Sequence, residues 1–448
     1  KQGKEDMSLS PQTIRRRHHI REMKRSGRKQ WDLYRSLACP FVIYDAMKLV
    51  MKNRGSAGVD GQTIKSLRGK ESELVKEILT ELKTKTFQPS PVKRVYIPKK
   101  DGSQRPLGIP TLKDRIVQRA LVLMLEPIYE QKFHEFSYGF RPNRRAVDAA
   151  AVVAKESYQR RYVFDADIEK FFDNVVPGKM MGMLKSEIAD PRVLNLIQKY
   201  FQAGVQEIGK PWQKQELGVP QGGPLSPLLA NIYLHELLDE PFTKKFGGVN
   251  KIKLVRYADD FVIMVQNKSD LNFVENLVRG WLSAGGLKLK ESKTRWIDMS
   301  NWSRSHQSKF KFLGFKFHLR SYKDNPERFW IARQPSEESR KSLRESLRER
   351  LHIGLSLQEA YDRLEETWRG WSEYFRYGNS NRIFYRERKQ AKKIYLWYLG
   401  RKFRRQRKGV PWRTLYKWKK KLTNALEVPK IEANHLARTL NVQYSLRA

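Results

Sequence analysis

Two adjacent carboxylates, Asp259 and Asp260, stand in the segment Tyr257-Ala258-Asp259-Asp260, between Lys251–Arg256 and the unbroken apolar run Phe261–Val265. Each flank is about one strand long, which predicts a tight hairpin with the pair at its turn. Such a turn aims carboxylates into a cleft while the strands fix the backbone behind them. Carboxylates grouped in this way suit Mg2+, a hard cation that prefers oxygen ligands and shares its shell with phosphates. An isolated Asp-Asp is more often a solvated acidic turn, because Asp is common in turns. What else the chain carries decides between the two readings.

A second acidic cluster runs Phe164-Asp165-Ala166-Asp167-Ile168-Glu169-Lys170-Phe171-Phe172-Asp173. The preceding Tyr162-Val163-Phe164 predicts a buried strand that ends near Asp167. If the strand persists that far, Asp165 and Asp167 share one face, and either could join Asp259 in holding a metal. Spacing alone does not choose between them.

The elements that must position these side chains are legible in outline. Helical spacing is present over residues 31–53, 64–86, 112–134, 144–158, from after the acidic cluster to about 203, and over 228–240 and 269–284. Strands are expected at Val92–Pro98 and Arg105–Ile109, joined by the polar turn Lys99–Ser103, at Tyr162–Ala166, on both sides of Asp259, at 287–290, and at Phe310–His318. Past residue 330, Leu343, Leu347 and Leu351 recur every four residues amid Arg and Glu, as on an amphipathic helix. Trp368 to Phe375 suggests another. From Phe384 to Lys420, basic residues alternate with Tyr395, Trp397, Tyr398, Phe403, Trp412, Tyr416 and Trp418. Cations there can meet phosphates while ring faces stack on bases; the same pattern also describes a helical bundle with its aromatics inside.

The 448-residue chain has 89 Lys and Arg against 48 Asp and Glu, a formal net charge of +41. So many cations repel one another in a compact state, and a polyanion relieves the repulsion. Nucleic acid is the usual polyanion, bound with a steep dependence on salt. Ribosome-like binding proteins and binders of anionic membranes share such a charge. No run of about twenty apolar residues exists, so no transmembrane helix is expected. Cys39 is the only cysteine, which excludes an internal disulfide and a multi-cysteine zinc site and fits a reducing compartment. No secretory signal is seen, and a start at Lys1 suggests a trimmed or processed chain. The eight histidines show no metal-ligand spacing, and serine-hydrolase and Rossmann patterns find no support.

The chain resembles the group II intron-encoded reverse transcriptases, or maturases. The matching pieces fall in the family's order: Gly55–Gly61, Arg105-Pro106-Leu107-Gly108-Ile109-Pro110, Ser137-Tyr138-Gly139-Phe140-Arg141-Pro142, Asp167–Asp173, Pro220-Gln221-Gly222-Gly223-Pro224-Leu225-Ser226-Pro227, Tyr257–Asp260 and Phe312-Leu313-Gly314-Phe315. Arg369–Phe375 is similar to the signature of the maturase region. The coverage runs from about residue 35 to at least 380, and an ordered set of this kind is far more specific than any one piece.

The resemblance implies an α+β right-hand polymerase. A basic N-terminal extension (1–65) leads to fingers (66–160), a palm with an antiparallel sheet and the primer grip (161–329), a helical thumb (330–378) and a basic helical nucleic-acid-binding region (379–448). It also selects between the aspartates: the family's metal-binding residue precedes a bulky aromatic by five positions, as Asp167 precedes Phe172. Asp167 and Asp259 would then hold two Mg2+ ions, with Asp260 beside them and the Ile168 carbonyl within reach. Phe172 would exclude a ribose 2′-hydroxyl. Lys99 and Arg105 would lie over the incoming triphosphate, where fixed cations offset developing charge. Gln221 would sit in a glycine-rich turn close to the nucleotide, Lys293 would donate a proton or contact phosphate, and Phe312-Leu313-Gly314-Phe315 would grip the primer. Asp165, Glu169 and Asp173 read as structural.

The implied activity is RNA-directed DNA synthesis from dNTPs on an RNA template with a DNA or RNA primer, together with binding of structured intron RNA. A cytoplasmic or nucleoid location in a bacterium, or an organelle, would fit, with no membrane partner. Two other roles suit the same lineage: a reverse transcriptase serving CRISPR spacer acquisition or phage defence, and a non-catalytic RNA-binding splicing factor. The intact Asp167, Asp259 and Asp260 disfavour the second of these. A nuclease module with cysteine pairs is missing from the sequence, so DNA cleavage by this chain is not expected.

Overall fold

The computed structural model describes residues 8–53, 55–98, 102, 104–207, 211–213, 218–219, 222–300, 308–321, 329–405 and 410–432. The apolar run after Asp260 becomes a strand buried on both faces, which is why it shows no alternation. It belongs to a set of strands numbered here in chain order: β1 (Val92–Pro98), β2 (Gln104–Ile109), β3 (Tyr162–Asp167), β4 (Val205–Gln206), β5 (Ile252–Tyr257), β6 (Asp260–Val265), β7 (Arg295–Asp298), β8 (Lys309–Phe312), β9 (Phe315–Ser321) and β10 (Phe329–Pro335). Among the described residues three sheets result, with orders β2-β1-β4, β5-β6-β3-β7 and β10-β9-β8. The second and third are antiparallel throughout, and most of the other described residues are helical. The α+β, right-hand expectation is met.

The central sheet divides two cores. Phe164 and Ala166 of β3 and Phe261, Ile263 and Val265 of β6 pack with helices that precede residue 247, Ala146–Gln159 excepted, and with Leu271–Ala284. Val163, Val262 and Met264, on the opposite face, pack with β8, β9 and the helices beyond residue 337. Because alternate residues share a face, Asp165, Asp167 and Asp260 lie on this second face, toward the C-terminal part of the chain. That part is built on capped helices. Ser336 accepts from the Ser339 N–H at the start of Glu337–Arg350, and Ser356 forms a capping box with Glu359 at the start of Leu357–Phe375. Leu343, Leu347 and Leu351 are buried, as their spacing requires. The basic N-terminal segment is also ordered: Pro11–Arg25 is a helix in which buried Arg17 bonds Glu126 at 2.7 Å and the Leu123 carbonyl at 2.7 Å.

Several elements depart from expectation. The helix expected over 64–86 is broken into Ile64–Leu67 and Glu71–Thr84, where Gly69 turns the chain with a φ of +84°. The helix expected over 228–240 is Ser226–Leu234, then a π-helical turn His235–Asp239, then Glu240–Phe246. Residues 287–290 make one bridge, Ile168 with Leu289, rather than a strand, and the sheet edge is β7 instead. Here β3 has already ended, since Lys170 at φ +43° leads into the helix Phe171–Asn174 and leaves nothing further to pair with.

Phe310–His318 is not one strand but the hairpin β8–β9, with Leu313 and Gly314 as its two-residue loop at φ +49° and +76°. Positive φ at both loop residues suits the right-handed twist of the strands they join. The alternation of Phe310 and Phe312 slips by one position before Phe315 and Phe317, and that slip marks the turn. Finally, β10 falls at the start of the region expected to be a helical thumb, paired with β9 from Pro335↔Phe315 to Phe329↔Ser321.

Candidate active site

The β5–β6 hairpin closes over Ala258 and Asp259, with Tyr257 opposite Asp260. Ala258 has φ +57°, a left-handed conformation in which a Cβ is costly, so the surroundings must hold it. Two contacts do so. Gly139 packs its Cα against the turn so closely that an added Cβ would lie 2.8 Å from the Tyr257 carbonyl carbon and would collide with the Ala258 nitrogen. Arg256, 0% exposed, donates to the Ala258 carbonyl at 2.9 Å and to Asn231 Oδ1 at 3.0 Å.

The same guanidinium grips Asp239 with two bonds, one of them Nε to Oδ1 at 2.8 Å. Asn231 in turn donates to the Gly139 carbonyl at 2.7 Å. Tyr138 N–H donates to the Arg256 carbonyl, and Arg256 N–H to Phe136. A buried charge is tolerable only with this degree of pairing, and here the pairing fixes the backbone that carries Asp259. The motif Ser137–Pro142 thus serves the turn through backbone contact.

The register sets Asp167 directly opposite Asp260. Like charges facing each other across strands repel. Burial, then Asp165, Asp259 and Asp167, push the Asp260 carboxyl up to about 7, against a backbone hydrogen bond from Leu313 that favours its ionised form. Asp259 is raised by burial and by Asp167, and lowered by its own backbone N–H, Arg105 and Arg256. Burial lifts Asp165 to about 6, with Arg295 opposing at 3.8 Å. Burial and mutual repulsion raise Asp165, Asp259 and Asp260 despite the cations around them, and carboxylate oxygens are the ligand type that a hard divalent cation takes.

Lys293, in the short 3-10 turn Glu291–Lys293, reaches Asp167 Oδ2 at 2.7 Å. Arg105 stands on β2 opposite Ile97, near enough to Asp259 to act on its ionisation. Ile168 forms the bridge to Leu289, whose two bonds use the Asp167 carbonyl and the Glu169 N–H rather than the Ile168 carbonyl. Phe172 is half-buried, edge-on to Phe171 at 5.2 Å, and its carbonyl accepts from Val219 N–H at 2.8 Å. Lys99 and Gln221 lie outside the described residues.

Phe312 and Phe315 are core residues, 1% and 0% exposed. It is the Leu313-Gly314 turn between them that reaches the site, through the Leu313–Asp260 bond. Tyr374 supports that turn, its hydroxyl 2.9 Å from the Leu313 carbonyl and its ring stacked on Phe315 at 5.5 Å. Ser336 N–H and the Ser339 hydroxyl both donate to the Gly314 carbonyl at 2.9 Å.

Sequence reading did not single out Arg256, Asp239, Asn231 or Tyr374. The available signal was an arginine directly after the apolar pair Leu254-Val255 in a strand, which demands a partner if it is buried. It also missed that two of the histidines meet a carboxylate in space: His134, His235 and Glu240 converge although their spacing is not that of a metal motif.

The C-terminal aromatics divide between the two readings. Tyr395, Tyr398 and Trp418 are buried, and Phe403 packs partly against the same core. Tyr385, Trp397 and Tyr416 are exposed, with the Arg401 guanidinium 4.7 Å above the Trp397 ring. The side chain of Trp412 lies outside the described residues. Among the described residues, no helix is long and apolar enough to cross a membrane.

Residues 97–317 match the family model described as reverse transcriptase (RNA-dependent DNA polymerase). Protein YkfC of Escherichia coli is 34% identical over 294 residues, which cover 58% of this chain and 76% of YkfC. The group II intron-encoded protein LtrA of Lactococcus lactis is 41% identical over 350 residues, 64% of this chain and 57% of LtrA, so the chain spans little more than half of that relative. A solved telomerase from Candida albicans, in complex with a fragment of telomeric RNA, has a TM-score of 0.43 at 12% identity over 75% of this chain and 64% of that one, a likeness too distant to support an inference.

Proposed function

The chain belongs to the group II intron-encoded reverse transcriptases and maturases and carries their RNA-directed DNA polymerase domain, and from that premise we propose that it extends a DNA or RNA primer with dNTPs on an RNA template and also binds structured intron RNA as a splicing maturase. The domain is that of a divalent-metal-dependent polymerase. The observation that carries the reading is the pairing of Asp167 with Asp260 beside a turn occupied by Asp259.

In this reading Asp167 and Asp259 hold two Mg2+ ions, with Asp260 adjacent and the Ile168 carbonyl able to contribute. Bound there, Mg2+ supplies Lewis-acid stabilisation to the attacking 3′-oxygen and to the leaving pyrophosphate. The chain's own groups do the rest. Arg105, with Lys99, offsets triphosphate charge. The Phe172 ring excludes a ribose 2′-hydroxyl. Gln221 and its neighbouring glycines bring backbone close to the nucleotide, since glycine lacks a Cβ. Lys293, paired to Asp167 at rest, is placed to exchange that partner for a phosphate. The Leu313-Gly314 turn orients the primer end.

The division into N-terminal extension (1–65), fingers (66–160), palm (161–329), thumb (330–378) and C-terminal region (379–448) follows the same reading. Exposed Tyr385, Trp397 and Tyr416 on strongly basic helices support RNA contact beyond the polymerase site. A cytoplasmic or nucleoid-associated place in a bacterial cell suits an intron-borne enzyme.

The test is primer extension by purified protein with an RNA template, a DNA primer, Mg2+ and dNTPs, beside an Asp259→Ala/Asp260→Ala variant of equal stability. Full-length cDNA from the parent alone is the expected result. Equal product from both would place the chemistry elsewhere.

A further inference from the structure

The segment leading into Ser137-Tyr138-Gly139 and the helical stretch carrying Asp239 meet at a second polar cluster, made of groups the polymerase reading does not use. His134 Nε2 lies 3.1 Å from Glu240 Oε1, and His235 Nε2 lies 3.5 Å from the same oxygen. One donor atom from each of the three residues falls within 4.8 Å of the others. His235 is 1% exposed, yet neither of its ring nitrogens has a hydrogen-bond partner among the described residues. A buried polar group left unsatisfied in this way calls for an explanation such as an ion.

Local structure accounts for the convergence. His235–Asp239 is a π-helical turn, closed by the Glu240 N–H bonding the His235 carbonyl five residues back. That wider turn brings His235 and Glu240 to one side, and π turns of this kind are frequent at functional sites. Phe133 packs edge-on to His235 at 5.6 Å and Phe136 stacks on His134 at 5.2 Å, which keeps the ring orientations fixed.

We propose that His134, His235 and Glu240 form a structural site for a zinc-class divalent cation, with water in the fourth position. Zinc bonds of about 2.0–2.1 Å to nitrogen and oxygen in a tetrahedron require donor atoms roughly 3.4 Å apart. The distances of 3.1 and 3.5 Å bracket that edge, and the third pair of donors lies within 4.8 Å. Two imidazoles with one carboxylate favour zinc over Mg2+, which takes oxygen ligands. Asp239 Oδ2 lies 3.9 Å from His235 Nδ1, beyond hydrogen-bonding distance, so Nδ1 as well as Nε2 is left without a hydrogen-bond partner among the described residues.

Among the described residues, the neighbouring cations do not fill the place. Lys132 is committed to Glu187 at 2.9 Å and Glu236 at 3.0 Å, and exposed Lys244 stands 4.0 Å from the other oxygen of Glu240. The site would clamp the segment that enters the Gly139 motif onto the residue next to Asp239, and so brace the Asp239–Arg256–Ala258 link behind the β5–β6 turn. It does not rest on the polymerase reading.

The full chain, stripped of metal and held in excess Mg2+ to occupy oxygen-only sites, is titrated with Zn2+ and with Co2+. One equivalent of zinc per chain is expected, with a visible Co2+ absorption band of the four-coordinate type and a rise in Tm on adding Zn2+. His134→Gln and Glu240→Gln, folded by circular dichroism, lose the band and the Tm response, whereas Asp259→Ala/Asp260→Ala keeps both. No retained zinc and no Co2+ band in the parent would reduce the cluster to a hydrogen-bonded His–Glu contact and overturn the proposal. Undiminished zinc in both variants would do the same.

Discussion

The Tyr374 hydroxyl donates to the Leu313 carbonyl at 2.9 Å, and the Leu313 backbone N–H donates in turn to the carboxylate of Asp260. A helix of the C-terminal region therefore reaches the acidic cluster through two hydrogen bonds and one tight turn. Tyr374→Phe keeps the ring on Phe315 and removes only the first bond. One such bond is worth about 0.5–1.5 kcal/mol, so primer extension should slow by roughly 2- to 10-fold. The loss should fall on kcat, or on KM for primer–template, with KM for dNTP little changed. A variant that matches the parent in steady-state extension would show that the turn holds its place without this tyrosine.

Gly139 has no room for a side chain, because a Cβ there meets the backbone of Tyr257 and Ala258. Backbone cannot swing away as a flexible side chain can. Gly139→Ala should cost about 1–3 kcal/mol of stability through overpacking and should lower polymerase activity more than its effect on Tm explains, since the displaced atoms carry Asp259. Gly182→Ala, at a helical position with open space around it, serves as the control. Equal behaviour of the two variants would contradict the close approach.

The acidic cluster links pH to metal-dependent stability. Asp260 is raised to about 7 and Asp165 to about 6 from an ordinary 3.8. Between those values the folded chain binds more protons than the unfolded one, so the metal-free protein loses stability as pH rises through that window. On the proposed reading Mg2+ would offset the negative charge of the buried cluster, and its effect should grow with pH. The Tm increase on adding Mg2+ should be larger at about pH 8 than at about pH 5, and Asp260→Asn should flatten the difference. An equal shift at both pH values in the parent would argue against a buried, repelling cluster.

Phe172 is held edge-on to Phe171 with its carbonyl bonded to Val219, so the ring has a fixed base beside the strand that carries Asp167. Phe172→Val or Phe172→Ala should admit ribonucleotides while retaining dNTP incorporation. The comparison is the ratio of kcat/KM for dNTP and rNTP, and an unchanged ratio would make Phe172 a core residue only.

Local features of the site were legible because they depend on residues close together in the chain. Run length located β3, β5 and β6, and the gap Tyr257–Asp260 between the latter pair put both carboxylates at a turn, whereas the structure leaves Asp259 in the turn and makes Asp260 the first residue of β6. The segment 310–318 was misread as one strand because its phenylalanines suit a core on either side of the turn; the left-handed pair Leu313-Gly314 reveals itself only as a slip in the alternation. The 228–240 helix was right in kind, but a π turn inside it leaves no mark in apolar spacing.

The sequence by itself determined the motif order, the strand that ends at Asp167, the hairpin that presents Asp259 and Asp260, and the excess of positive charge, since each follows from residue type and short-range geometry. Tertiary structure alone decided that Asp167 faces Asp260, that Lys293 reaches back 126 residues to Asp167, that Arg256 finds Asp239 across 17 residues, and that Tyr374 finds Leu313 across 61. These pairings are set by which faces of the sheet and helices bury together. That choice belongs to packing of the whole chain, and no local pattern encodes it.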